Sequence, residues 1–164
     1  MRNKLKKVIT VLFIMAMVVS SSTYSCVEAQ AATKKKWITN KKYAKLYYLD
    51  HDNTKTAPDI DNGEPAYSLS IKKITKKGKI TFQIEYSGKN WSPIISSNTI
   101  KGKIKGNKVK FKWKDSWGCS GTGTLKFNKN GTLRLKMIEK KHNDSARGTL
   151  ATSNGKYATM RKWK

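Results

Sequence analysis

The chain has 164 residues, 35 of them Lys or Arg against 10 Asp or Glu, for a net charge of +25. That length allows one ordinary domain and leaves little room for two. The charge excludes an acidic solvating tail and points first to an anionic partner.

Residues 1–31 stand apart from the rest. Arg2, Lys4, Lys6 and Lys7 form a basic start, residues 8–19 are apolar except for Thr10, and a small polar stretch leads to Ala29-Gln30-Ala31. This is the build of a secretory signal peptide spanning residues 1–31. The apolar run, about a dozen residues, is too short to cross ~30 Å of hydrocarbon, which argues against an anchor. A lipidated Cys26 is disfavoured because Thr23-Tyr24-Ser25 supplies no aliphatic residue ahead of it. Removing residues 1–31 takes away four basic side chains and Glu28, leaving 31 basic against 9 acidic and a net of +22. The expected location is secreted, either extracellular or associated with the cell envelope. Cys119 then remains alone, so no internal disulfide is available and the fold must rest on its hydrophobic core.

Residues 32–65 read as a basic lead-in followed by an acidic loop. Residues 33–42 are basic and expected to be loosely held. Residues 43–49 are short, apolar and aromatic, a candidate first strand. Residues 50–65 hold Asp50, Asp52, Asp59, Asp61 and Glu64. Asp59, Asp61 and Glu64 around Gly63 suggest calcium, but the third ligand pair and distal Glu of a full calcium loop are missing, so a solvated acidic loop is the better reading.

Residues 66–164 form the expected antiparallel β-barrel domain. Tyr67, Leu69 and Ile71 alternate with polar residues, and Lys76-Lys77-Gly78 makes a turn before Ile80, Phe82, Ile84 and Tyr86. A loop over residues 87–97 carries Trp91. Ile100 and Ile104 flank Gly102, Gly106-Asn107 turns, and Val109, Phe111 and Trp113 follow. After a glycine-rich loop come Leu125 and Phe127, an Asn130-Gly131 turn, then Leu133, Leu135 and Met137. Residues 149–151 and 157–163 are the last candidate strands. This period of two predicts an all-β chain, an up-and-down antiparallel meander closing into a seven- to eight-stranded barrel, with a small β-sandwich as the alternative. Such a barrel is just wide enough for its own side chains or one small ligand, and bulky Phe111 and Trp113 favour filling.

The basic residues are mostly Lys, with only Arg2, Arg134, Arg147 and Arg161 as arginine. Base and phosphate readers rely on Arg forks, so lysine bias and export together argue against nucleic acid. The outward lysines form two ridges, Lys101, Lys103 and Lys105, then Lys108, Lys110, Lys112 and Lys114. Adjacent antiparallel strands would set these ridges side by side, where like charges repel. An anionic envelope polymer, an acidic head group giving peripheral membrane contact, or an acidic protein would relieve that repulsion. A monomer is expected.

Residues 115–123 are the most particular segment. Asp115 and Ser116 supply hydrogen-bonding groups beside Trp117, among three glycines. Trp91, Phe111, Trp113, Asp115, Ser116, Trp117 and Arg147 make up the candidate ligand-binding set. No nucleophile elbow, zinc-protease or paired-carboxylate motif occurs, so no catalytic residue and no cofactor are expected. His142 follows two lysines and reads as solvated, and one Cys with two distant His does not make a four-ligand zinc site, so no metal is expected.

Trp37 ahead of the first strand, the meander of short strands and the terminal Arg161-Lys162-Trp163 resemble the lipocalin-like, calycin-type small secreted barrels. Lys35 stands where the lipocalin signature has Gly, two residues before Trp37. By this resemblance Trp37 and Arg161 would stack to close the barrel floor. Residues 67–163, and 115–123 above all, also resemble uncharacterised secreted proteins of Gram-positive gut bacteria. The resulting expectation is a secreted, non-enzymatic binding protein held near the anionic envelope by a lysine-rich face. An inhibitor or immunity-type protein of an acidic secreted partner is one alternative, and a hydrolase using Asp115 is another.

Overall fold

The computed structural model describes residues 34–50, 54–151 and 155–163. The expected signal peptide, Cys26, His51 and Asp52 lie outside them. Alternation of side chains drives what is seen. Val109, Phe111 and Trp113 are buried while Lys108, Lys110, Lys112 and Lys114 between them are exposed. β-branched and aromatic residues on one face, with long cations on the other, suit a half-buried pleated strand.

Nine strands result: β1 (Leu46–Asp50), β2 (Ala66–Ile74), β3 (Lys79–Ser87), β4 (Ile94–Ser96), β5 (Ile100–Lys103), β6 (Lys108–Lys114), β7 (Ser120–Phe127), β8 (Leu133–Lys141) and β9 (Ala158–Lys162). Every strand pairing is antiparallel. Eight strands run in the order β4-β3-β2-β1-β9-β8-β7-β6 and curl into an open half-barrel, while β5 pairs with β3 beyond β4. The all-β antiparallel meander is therefore as expected.

A short seam joins the two edges of this curled sheet. Ser97 bridges to Asp115, the Asn98 amide donates to the Lys114 carbonyl, and the Ser116 amide donates to the Ser96 carbonyl. Lys105 and Lys108 bridge across the turn at the other end. The residues between, in β5 and β6, form no ladder with each other among the described pairings, and β5 pairs with β3.

The interior is filled by side chains. Tyr43, Tyr47, Phe82 and Phe127 are fully buried. Tyr43 meets Phe127 edge-on at 5.1 Å, and Phe82 meets Phe111 in the same way at 5.1 Å. Gly123 makes room for Phe111: a Cβ there would lie 2.2 Å from the ring carbon Cζ. Phe111 and Trp113 are thus packing residues of a solid core.

Four details depart from the sequence reading. Residues 43–49 are not one strand. Asn40–Tyr43 forms a single helical turn, α1, because Thr39 caps it through the Lys42 amide at 3.2 Å, and β1 starts only at Leu46. The lead-in is not loosely held, since Ile38 is fully buried and the Lys35 amide bonds the Gly106 carbonyl. The 87–97 loop contains β4. Residues 149–151 are not a strand, because the Leu150 amide bonds a side chain, Asp115 Oδ2, at 3.3 Å.

Candidate functional site

The lysine surface is built by strand register. On the outward face of β6, β7 and β8, Lys108 stands opposite Lys126 and Lys126 opposite Arg134. One step along, Lys110 faces Thr124 and Thr124 faces Lys136. Threonines thus separate cations in one row, while like charges sit directly opposite in the next, an arrangement that destabilises a sheet unless something neutralises it. Lys126, Arg134 and Lys136 gather around Tyr157, with Lys126 Nζ 4.1 Å from the ring centroid. The aromatic face offsets part of their repulsion.

The two expected lysine ridges do not lie side by side in one ladder. Lys101 faces Thr81 and Lys103 faces Lys79, both on β3. One lysine of the first ridge, Lys101, and two of the second, Lys110 and Lys112, line a groove of about 650 Å³. Lys101, with Asn98 and Thr99, forms one wall. Lys110, Lys112, Lys136, Thr122 and Thr124 form the other, and the buried Phe111 and Gly123 lie beneath. Among the described residues the ion pairs are His142–Glu139 and Arg161–Asp50, so none of the four groove lysines has an acidic partner there.

The acidic loop does not converge on a cation. Asp59 Oδ1 accepts from the Asn62 amide at 3.2 Å and its Oδ2 from Asn62 Nδ2 at 2.6 Å, while Glu64 Oε2 accepts from the Asp59 amide at 2.7 Å. The loop spends these carboxylate oxygens on its own turn.

Asp115 is 5% exposed. Its Oδ1 accepts from the Trp117 and Cys119 amides at 3.1 and 2.9 Å, and its Oδ2 accepts from Leu150. A carboxylate already accepting from three amides, two of them buried, has little room to meet a substrate as well. Ser116 Oγ accepts from the Ser96 amide in the seam. Trp113 Nε1 donates to the Thr122 carbonyl. Trp117 packs on the core and, with Ser145, Ala146 and Arg147, lines a shallow cleft of about 290 Å³. Trp91 is 49% exposed on a turn between β3 and β4, near Ile94 in sequence, which is 51% exposed. The candidate set therefore divides: Phe111 joins the lysine groove, Trp117 and Arg147 share a cleft, and Trp113, Asp115 and Ser116 hold the fold.

The cation over Trp37 is Lys42, 5.9 Å from the ring centroid, while Arg161 donates from Nε to Asp50 Oδ2.

Sequence reasoning missed one constellation. His142 is not simply solvated: its Nδ1 lies 3.7 Å from Cys119 Sγ and 2.7 Å from Glu139 Oε1. The available signal was Glu139, the next inward position after Leu133, Leu135 and Met137 in a strand of period two. The chain matches no protein-family model, no curated protein and no solved structure.

Proposed function

We propose that this is a secreted, non-enzymatic binding protein that the lysine-rich outer face holds to an anionic polymer of the cell envelope. The observation that carries the reading is the groove between β5 and β6, where Lys101, Lys110, Lys112 and Lys136 converge without acidic partners among the described residues. A phosphate-rich polymer fits such a groove because it brings one anion after another past cations that otherwise repel each other. The threonine hydroxyls between the lysines offer hydrogen bonds to the same oxygens. A calycin-type kinship belongs to this proposal and draws support from the pairing of β1 with β9, which brings first and last strands together.

The test is retention on purified Gram-positive cell walls, with and without their anionic polymer, across a salt series. Exposed charges are screened beyond ~10 Å at 0.1 M salt and ~3 Å at 1 M. Binding is expected to need the polymer, to fall steeply over that range, and to weaken at least about tenfold in Lys101→Glu/Lys110→Glu/Lys112→Glu. Retention at high salt, or an unchanged triple variant, overturns the reading.

The exposed pair Trp91 and Ile94 favours a second reading, an inhibitor or immunity-type protein anchored on an acidic secreted partner by an aromatic residue. A stoichiometric protein captured from culture medium by the wild type, and lost with Trp91→Ala, would select it over the first.

A further inference from the structure

The end of the sheet where β7 begins and β8 finishes brings three unlike ligand atoms together. Cys119 Sγ, Glu139 Oε1 and His142 Nδ1 all lie within 4.8 Å of one another. A β-bulge sets up this meeting. Gly121 pairs with Glu139 and Ser120 with Lys141, so Lys140 is left out of register. Glu139 continues the row of Leu133, Leu135 and Met137, and past the bulge the chain leaves the strand and delivers His142. Cys119 is held rigidly, with its amide and carbonyl both bonded to Asp115.

The detail of the contacts decides what the cluster can do. In a nucleophile–base relay, the thiol and the carboxylate would use opposite ring nitrogens. Here both approach the same nitrogen, Nδ1. Three donors aimed at one place suit a cation seated between them. Bond lengths of ~2.3 Å to sulfur and ~2.0 Å to nitrogen put tetrahedral ligand atoms ~3.5 Å apart. The Sγ–Nδ1 separation of 3.7 Å is already close to that. The Nδ1–Oε1 separation of 2.7 Å must open by roughly half an ångström. His142, with a side chain 47% exposed, has the freedom to do so.

The surroundings support the sulfur. The Asn143 amide points at Sγ from 3.4 Å, and Asn143 is itself fixed by its Nδ2 donating to the Trp117 carbonyl at 2.6 Å. Such outer-shell bonds orient metal ligands and stabilise a thiolate. We propose that Cys119, Glu139 and His142 bind a divalent cation of the zinc class through Sγ, Oε1 and Nδ1. The thiolate and imidazole select against calcium and magnesium, which take oxygen shells. Thiolate and carboxylate together neutralise the ion's two charges. On binding, the Cys119 thiol proton and the Nδ1 hydrogen that faces Glu139 Oε1 both pass to solvent, and the ring's remaining hydrogen sits on Nε2. Three protein ligands leave a fourth position for water.

The proposal stands apart from envelope binding and is tested by Co²⁺ titration of the full chain carrying Cys26→Ser, in which Cys119 is the remaining thiol. One equivalent of Co²⁺ is expected to raise a thiolate-to-cobalt charge-transfer band that Zn²⁺ abolishes. Cys119→Ser is expected to lose the band, and His142→Ala to weaken affinity at least about tenfold. Zn²⁺ should raise the Tm of the parent and not of His142→Ala. Should Cys119→Ser fail to fold, His142→Ala, altered at a half-exposed position, decides alone. Absence of the band in the folded parent, or unchanged affinity in both His142→Ala and Glu139→Gln, overturns the proposal.

Discussion

Asp115 organises one end of the molecule through backbone contacts alone. Its two oxygens hold the amides of Trp117, Cys119 and Leu150, which belong to two distant stretches of chain. Hydrogen bonds to a charged group are each worth ~1.5–3 kcal/mol, and stranding buried amides costs more. Asp115→Ala should therefore lose about 3 kcal/mol or more in urea unfolding. A hydrolase built on Asp115 would instead lose a measurable activity while Asp115→Asn stayed folded. Trp91 tells the opposite story. Its φ is +63°, a left-handed conformation that costs a non-glycine residue ~1–2 kcal/mol, and its ring is half in water. Trp91→Gly is expected to leave stability unchanged or raise it by up to about 1 kcal/mol, as read by the denaturation midpoint. A loss of stability would mean that the indole packs usefully after all.

Among the elements, β6 and β7 show how small and large residues share one core layer. Phe111 occupies the space that a Cβ on Gly123 would need. Gly123→Ala should overpack this layer and cost about 1–3 kcal/mol. Adding Phe111→Leu should recover part of that loss, so the double-mutant cycle gives a coupling energy of opposite sign to simple addition. Equal losses in both backgrounds would refute the steric argument. β6 was fully legible in the sequence because every second residue is Lys. β4 was not: three residues carry too little pattern, and Ile94 in it is exposed. Residues 149–151 look like a strand in isolation, but Asp115, far away in sequence, takes the amide that a ladder would need.

At the scale of the whole molecule, buried tyrosine hydroxyls set an upper pH limit to stability. Burial pushes the Tyr43 hydroxyl up to about 12 and raises Tyr47 further, with neighbouring Tyr43 adding to the shift. Burial, and then Tyr86, also raises Tyr67. The unfolded chain loses these protons near pH ~10, and the folded chain keeps them to higher pH. The folded state thus binds more protons above pH ~10, so its stability is level below that point and falls as pH rises toward about 12. Urea midpoints measured from about pH 8 to 12 should trace this decline, and Tyr43→Phe should flatten it. A midpoint that holds steady to pH ~12 would contradict the sign.

The sequence by itself determined the all-β class, the order of most strands and the outward lysines, because a period of two records which face meets water. It also marked residues 115–123 as special, though not why. Only the tertiary structure decided that this segment is the seam of the curled sheet, that lysines of both ridges line a groove, and that Cys119, Glu139 and His142 meet. Each of these depends on which strand edges approach each other. Edge pairing is settled by long-range packing and by the hydrogen bonds left over from local structure, and neither leaves a periodic trace in the chain.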